Sequence, residues 1–479
     1  MLYLGYNTWI TYIYSKVNKI TMNRIVYFVM VILFATSCKQ AENPKEQFLK
    51  WVQKGVIIDN VACKKDASQS YCLYLPVNYD ITRSYPIIYA FDPHGKGRIP
   101  VALMKKSAER LGFIIVGSNN SKNGLSEVEI NVIASGLLSD TKLKLSIDTN
   151  RIYTAGFSGG ARVAGMVAQG IRGVKGVIAC SAGCQSDGKP IGFDFICIAG
   201  TQDMNYFEVK QFSNYLKSSN QPNQLLVFKG KHQWPPESTL AEAIDLLNLY
   251  AMKGSLIEKN KSFVDEYLQN SSRKITKLRN SNSADSLAKA YNLLSQNMEL
   301  LDGLTDIKEL KSSMDELANN AILKKYLDEQ TLLESYESDK QKEFVSSFSI
   351  KPEAWWNGEI AKLTETSKSV KSNLKSDVSM RLMGFISLNC YGYVNSALHY
   401  QDWKTAKYFA SIYQKVDPEN PDCWYALACI QANTGKPNDA LASVKNALKF
   451  GYTDYSKLKN DPLLIRLRGL DEFNAIIKR

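Results

Sequence analysis

The sequence predicts an α/β protein: a doubly wound, mainly parallel sheet followed by an all-α region. Three observations carry this. Short β-rich runs alternate with stretches of helical spacing between about residues 51 and 252. The cores of those runs, such as GVIAC and FICIAG, are almost wholly apolar, as strands covered on both faces must be. Beyond residue 252 glycine and proline become rare, and Lys, Glu, Leu, Ser and Asn dominate to about residue 385.

In chain order, strands are expected at Tyr71–Leu75, Ile87–Phe91, Phe113–Gly117, Arg151–Ala155, Val174–Cys180, Phe193–Ala199 and Gln224–Phe228. Helices are expected between several of them, at Val101–Leu111 and Glu127–Leu145. In the segment 253–385, Leu287, Tyr291, Leu294, Met298 and Leu301 step alternately by four and three, which puts them on one helical face. The segment 386–479 suggests repeats, because Ala406 and Ala440 stand 34 residues apart in matching settings. The stretch NPDCWYALACIQANTGKPNDALASVKNAL resembles a tetratricopeptide repeat. Trp424, Leu427, Ala428, Gly435, Ala440, Val444 and Ala447 fall near that family's large and small positions. Pro418 closes the preceding unit, and Tyr455 to Phe473 reads as a cap. So few repeats need the preceding helices to pack against, and they offer a surface for a protein partner.

The N-terminus reads as an address. Met22 is a second candidate start, and residues 1–21 read as an upstream mis-start. Asn23 and Arg24 precede the apolar run IVYFVMVILF, too short to span a bilayer comfortably and suited to a signal-peptide core. Ala35-Thr36-Ser37-Cys38 then resembles the lipobox of bacterial lipoproteins. That resemblance implies cleavage after residue 37, acylation of Cys38, a tether over 38–50, and an exported protein held on the periplasmic or cell-surface side of a membrane.

The formal net charge is +12. The lysines are scattered, with no basic stripe and no interleaved aromatics, so nucleic acid is not an expected partner. Nine cysteines include Cys38 but no CxxC and no Cys/His ligand spacing, so neither a metal nor another cofactor is expected. Cys63 and Cys72 flank a polar stretch between two apolar runs, a hairpin pattern that leaves two readings open: a disulfide across it, or two half-buried free thiols.

The chemistry centres on Gly156-Phe157-Ser158-Gly159-Gly160, which follows the run RIYTA and precedes the helical pattern ARVAGMVAQG. In G-x-S-x-G between a strand and a helix, glycines permit a tight turn that lifts the serine hydroxyl to a helix N-terminus. A nucleophilic serine needs a base. The chain has three histidines. His399 lies in the helical region and His94 precedes the serine, whereas His232, in FKGKHQWPP, follows it within the same segment. The acid belongs between them at a strand end. Asp203, after FICIAG and Gly200-Thr201-Gln202, fits best, with Asp187, Asp194 and Glu208 as rivals. An oxyanion needs two amides: Gly159, directly after the serine, and Gly95 or Lys96 in FDPHGKG, after an early strand. His94 beside them, Asn119 and Asn120 in SNNSKNG, and Trp234 are expected around the substrate.

Together these residues resemble the α/β-hydrolase superfamily, in particular secreted esterases related to polyhydroxybutyrate depolymerases, feruloyl esterases and dienelactone hydrolases. SYCLYLPVNYDITRSYPIIYAFDPHG is similar to their entry, RIYTAGFSGGARVA to their nucleophile elbow, GTQD to their acid turn and HQWPP to their histidine loop. The resemblance implies an α/β-hydrolase domain over 51–252 and hydrolysis of a small-molecule or polymer-borne ester through an acyl-enzyme. Two other readings stay open: cleavage of a peptide amide, and a degenerate hydrolase that binds partners through its repeats.

Overall fold

The computed structural model describes residue 16 and residues 43–184, 191–281, 283–368 and 373–478. The expected leader apart from residue 16, together with Cys38 and Asp187, lies outside the described residues. The first half runs α1 (Pro44–Leu49), β1 (Ile57–Ala62), β2 (Ser70–Tyr74), β3 (Tyr85–Phe91), α2 (Arg98–Leu111), β4 (Ile114–Ser118), α3 (Glu127–Lys144), β5 (Ile147–Phe157), α4 (Gly159–Gly170), β6 (Val174–Cys180), β7 (Asp194–Gly200), α5 (Tyr206–Ser218), β8 (Asn223–Phe228) and α6 (Glu237–Lys253). The eight strands form one sheet in the order β1-β2-β4-β3-β5-β6-β7-β8. β1 and β2 enter antiparallel, and every later pairing is parallel. β1 is absent from the expected strands: it is an edge strand with two exposed polar residues at its centre, Asp59 and Asn60.

Side chains alternate across the sheet. Ile87, Tyr89 and Phe91 enter one core, shared with α3, α4 and α5. Ile88 and Ala90 enter the other, shared with α2 and α6. Both faces of β3 are therefore buried, which is why its sequence is an unbroken apolar run. The same alternation decides against a disulfide and for free thiols. Cys63 packs in the first core and Cys72 in the second, on opposite faces of the sheet, and both are buried free thiols. Burial pushes the Cys63 thiol up to about 11 and the Cys72 thiol up to about 12.

The second half is helical: α7 (Lys261–Asn280), α8 (Ala284–Leu301), α9 (Lys308–Ala318), α10 (Ala321–Ser347), α11 (Glu353–Lys368), α12 (Asn373–His399), α13 (Trp403–Val416), α14 (Pro421–Asn433), α15 (Pro437–Lys449), α16 (Tyr455–Asn460), a 3₁₀ turn (Pro462–Leu467) and α17 (Asp471–Ile477). The change of composition near residue 252 is no break in the core. Val264, Ile275, Leu287, Leu294, Leu301 and Leu310 continue the core that α6 shares with the sheet. A third core begins near the end of α10, at Phe344, and runs through α11 to α17. The 27-residue α10 spans about 40 Å and so links the two, with Leu323 in one and Phe344 in the other. Trp356 is fully buried there, stacked on Phe348 at 4.5 Å. Ala406 and Ala440 are both fully buried, one in each of the successive hairpins α12–α13 and α14–α15, where a small side chain lets helices approach closely. Among the described residues no helix is long and apolar enough to cross a membrane.

Candidate active site

β5 enters the centre of the sheet, and its last residue, Phe157, leads into a reversal at Ser158 before α4 begins. Ser158 has φ 53° and ψ −122°, a conformation costly for a residue with a Cβ and held only by its surroundings. Those surroundings are specific. The Ser158 amide donates to the Cys180 carbonyl at 2.8 Å, fastening the turn to β6. A Cβ on Gly156 would collide with the Gly160 carbonyl, and one on Gly160 with the Phe91 carbonyl of β3. The outer glycines of the motif are thus close-approach positions, and the serine is raised on the first turn of α4.

Asp203 and His232 follow β7 and β8, which lie beyond β6 in the sheet. β7 ends at Gly200, and the following turn is pinned by three backbone bonds: Thr201 to Phe228, Gln202 to Gly230 and Asp203 back to Gly200. Asp203 has no exposed surface. Its Oδ1 accepts from the Asn205 amide at 2.9 Å and lies 2.8 Å from His232 Nδ1. Its Oδ2 is buried with no hydrogen-bond partner among the described residues. His232 Nε2 lies 2.9 Å from Ser158 Oγ. A proton on Nδ1 satisfies both contacts, with Nδ1 donating to Asp203 and Nε2 accepting from the serine hydroxyl. The ring packs on Phe157 at 4.8 Å between centroids and remains 22% exposed, open to a substrate.

The rival acids stand elsewhere. Asp194 begins β7 at the opposite end of the sheet, where burial pushes its carboxyl up to about 7. Glu208 is committed to Arg162 and to the Gly183 amide. His399 is exposed on α12, against Tyr400.

The Gly159 amide, at the first position of α4, has no hydrogen-bond acceptor among the described residues, which leaves it available as a donor. The two expected second donors both have acceptors already. The Gly95 amide donates to the Asp92 carbonyl at 3.1 Å, and the Lys96 amide to Asp92 Oδ1 at 3.2 Å. Both are spent inside their own turn, which the buried Asp92 organises; it also accepts from the His94 amide and from Trp234 Nε1. An aspartate directly after a strand and before Pro93 is the signal that exposes such a turn, since its short carboxylate bonds amides just ahead of it.

The Asn119 and Asn120 side chains have partners of their own. Asn119 Nδ2 donates to the Asp59 carbonyl and to Ser70 Oγ, while Asn120 bonds the Ser70 amide and the Ser68 carbonyl. Both are spent in fastening their loop to the β1–β2 hairpin. The asparagine that reaches the site is Asn123, three residues on. Its amide adjoins Gly159 so closely that a side chain at residue 159 would collide with it. Its backbone N–H donates to the Pro93 carbonyl at 2.8 Å. Trp234 packs on Phe157 at 5.7 Å between ring centroids, and its Nε1 donates to Asp92. The His94 side chain is 71% exposed and lies 3.8 Å from Asp92. Among the described residues no cluster of His, Cys, Asp or Glu is arranged to hold a metal ion.

The strand order, with the serine elbow after β5 and the acid and histidine after β7 and β8, is the α/β-hydrolase fold. No family model matches the chain, and no curated protein matches it. Solved structures similar to it include the feruloyl esterase module from Clostridium thermocellum complexed with sinapinate, at 15% identity over 40% of this chain and 85% of that one, with a TM-score of 0.32. Another is the fluorophosphonate-binding serine hydrolase F of Staphylococcus aureus, at 14% identity over 41% of this chain and 99% of that one, with a TM-score of 0.33. A third is a dienelactone hydrolase-like promiscuous phosphotriesterase from metagenomic libraries, at 11% identity over 38% and 92%, with a TM-score of 0.32. Likeness at this level carries no argument about chemistry, which is read from the chain's own residues.

Proposed function

We propose that the chain is a serine hydrolase that cleaves carboxylic esters through an acyl-enzyme. One observation supports the reading above the others: the unbroken line from Asp203 Oδ1 to His232 Nδ1, 2.8 Å, and from His232 Nε2 to Ser158 Oγ, 2.9 Å. In the first step Ser158 Oγ attacks the ester carbonyl while its proton passes to His232 Nε2. The negative charge that develops on the carbonyl oxygen meets the Gly159 amide and the positive end of α4. The imidazolium then protonates the departing alkoxide, and the acyl group remains on Ser158. Water, deprotonated by the same nitrogen, attacks the acyl carbonyl and releases the acid and the free serine. Asp203, sealed from solvent, favours the tautomer and the charge that His232 needs at each step. We also infer an exported protein anchored through Cys38, a reading supported by the lipobox resemblance of residues 35–38.

The test is turnover of short-chain and aryl p-nitrophenyl esters by the chain from residue 39 onward, beside Ser158→Ala. Wild type should turn over at least one ester with a burst of nitrophenolate, and Ser158→Ala should lose about 10⁶-fold in kcat. Comparable rates in the two proteins would remove the assignment of the nucleophile.

A further inference from the structure

The helical half meets the catalytic end of the sheet along α12. Arg381 lies there between α10 and the turn that carries Asp203. Its side chain is 6% exposed, and that of its partner Glu337 is wholly buried. Arg381 Nε donates to Glu337 Oε1 at 2.8 Å, and Nη2 donates to Oε2. The remaining arm, Nη1, donates to the Thr201 carbonyl at 2.8 Å. The guanidinium carbon sits 4.6 Å from the centroid of the Tyr206 ring. One helical turn before Arg381, Asp377 accepts from Gln202 Nε2 at 2.8 Å. Further along, Gly384 makes room for Met204, whose Cβ lies 3.0 Å from where a Cβ on residue 384 would stand. Thr201, Gln202, Met204 and Tyr206 are the residues on either side of Asp203.

Nothing about the Asp203 carboxylate itself fixes its place strongly. It accepts from His232 and from an amide of its own turn, and its second oxygen has no partner among the described residues. Its position relative to His232 is therefore set by the backbone of the turn. β8 holds that backbone on one side, through Phe228 and Gly230, and Arg381 holds it from the other. A buried ion pair is a poor way to gain stability, because desolvation offsets most of the Coulombic attraction. What this one supplies is direction. A guanidinium locked by a two-pronged carboxylate aims its third arm at a single carbonyl oxygen.

We propose that Arg381 is a positioning residue for Asp203, locked by Glu337, so that the helical half is a working part of the active site rather than an appendage. The proposal rests on the serine-hydrolase reading. Its test uses the whole chain from residue 39. Arg381→Met alone would strand a buried Glu337, so the first variant is the pair Glu337→Met/Arg381→Met, which replaces the ion pair with apolar side chains of similar length. The second is Arg381→Lys, which keeps a charge for Glu337 and loses the third arm. Two readouts are taken: kcat and KM on p-nitrophenyl acetate, and the strongly deshielded proton resonance of a histidine Nδ1–H bonded to a carboxylate. Only three histidines are present, and His232→Gln assigns the signal. In both variants kcat should fall about 10²-fold with KM little changed, and the resonance should broaden or vanish. Wild-type kcat and an unaltered resonance in a folded Arg381→Lys would overturn the proposal. The resonance reports the Asp203–His232 geometry without any turnover. A wild-type chain that hydrolyses no ester would thus count against the enzymatic reading, and the resonance would still decide the role of Arg381.

Discussion

The two halves of the chain touch each other through two different interfaces, one mainly apolar and one polar. Away from the catalytic end, α7, α8 and α9 extend the apolar core beneath α6, with Leu287, Leu294 and Leu301 buried on the face that α6 shares with the sheet. Beside the site the contacts are directional and charged: Arg381 to Thr201, Asp377 to Gln202, and Lys210 of α5 to Glu334 of α10. Apolar burial is nondirectional and scales with area, so the first interface holds the halves together chiefly through area, with a few polar contacts such as Gln296 to the Leu225 carbonyl and Lys274 to Glu242. Hydrogen bonds to a carbonyl specify an atom and add little net stability. The contrast separates what keeps the chain folded from what keeps Asp203 in line with His232.

Substitutions at the two interfaces should therefore fail in different ways. The largest effect on chemistry after loss of the nucleophile belongs to Asp203→Asn, which preserves shape but removes the carboxylate that fixes the imidazole tautomer. Its kcat should fall roughly 10⁴-fold with unchanged denaturation behaviour, measured by ester turnover and urea unfolding. The Arg381 variants should sit between that and wild type. Leu294→Ala, in the apolar interface, should do the reverse. It should lower unfolding free energy by about 2–5 kcal/mol while kcat of the folded fraction stays at the wild-type value. A large loss of kcat with intact stability in Leu294→Ala would collapse the distinction.

The smallest effect concerns Asp194, at the end of β7 remote from Asp203. Burial raises its carboxyl from 3.8 to about 7 in the folded chain. The stability linked to its protonated form is complete below the unfolded value and is lost as pH rises through about 7. Asp194→Asn keeps the neutral form at every pH. It should match wild type in acid and exceed it by about 1–3 kcal/mol at pH above 7, with no change in kcat. Equal unfolding curves at both pH values would place the ionised carboxylate in water.

What the sequence disclosed follows the same division. Ser158, Asp203 and His232 were legible because each stands in a local signal: a glycine-flanked turn, a strand end, and a histidine later in the chain than the serine. Their side chains meet as that order implies. What holds the Gly95 and Lys96 amides and the Asn119 and Asn120 side chains was not legible, because loop residues a few positions apart compete for the same bonds. Only coordinates reveal that Asp92 takes both amides and that Asn123 is the asparagine beside Gly159. Cys63 and Cys72 suggested a bridge because spacing along a hairpin does not say which face of the sheet each residue takes. Arg381 was beyond local reading altogether, since its partners Thr201 and Glu337 lie far away in the chain. One hint existed: it is the lone Lys or Arg between residues 376 and 403, set among Val378, Leu382 and Ile386. A solitary cation in an apolar helical stretch is buried only when paired.

The most direct measurement is covalent: incubate the folded chain from residue 39 with a fluorophosphonate, digest it, and locate the adduct by mass spectrometry in wild type, Ser158→Ala and His232→Ala. An activated serine predicts a single adduct on the peptide containing Ser158 in wild type and none in either variant. An unmodified, well-folded wild type, or an adduct that survives in Ser158→Ala, would contradict the account.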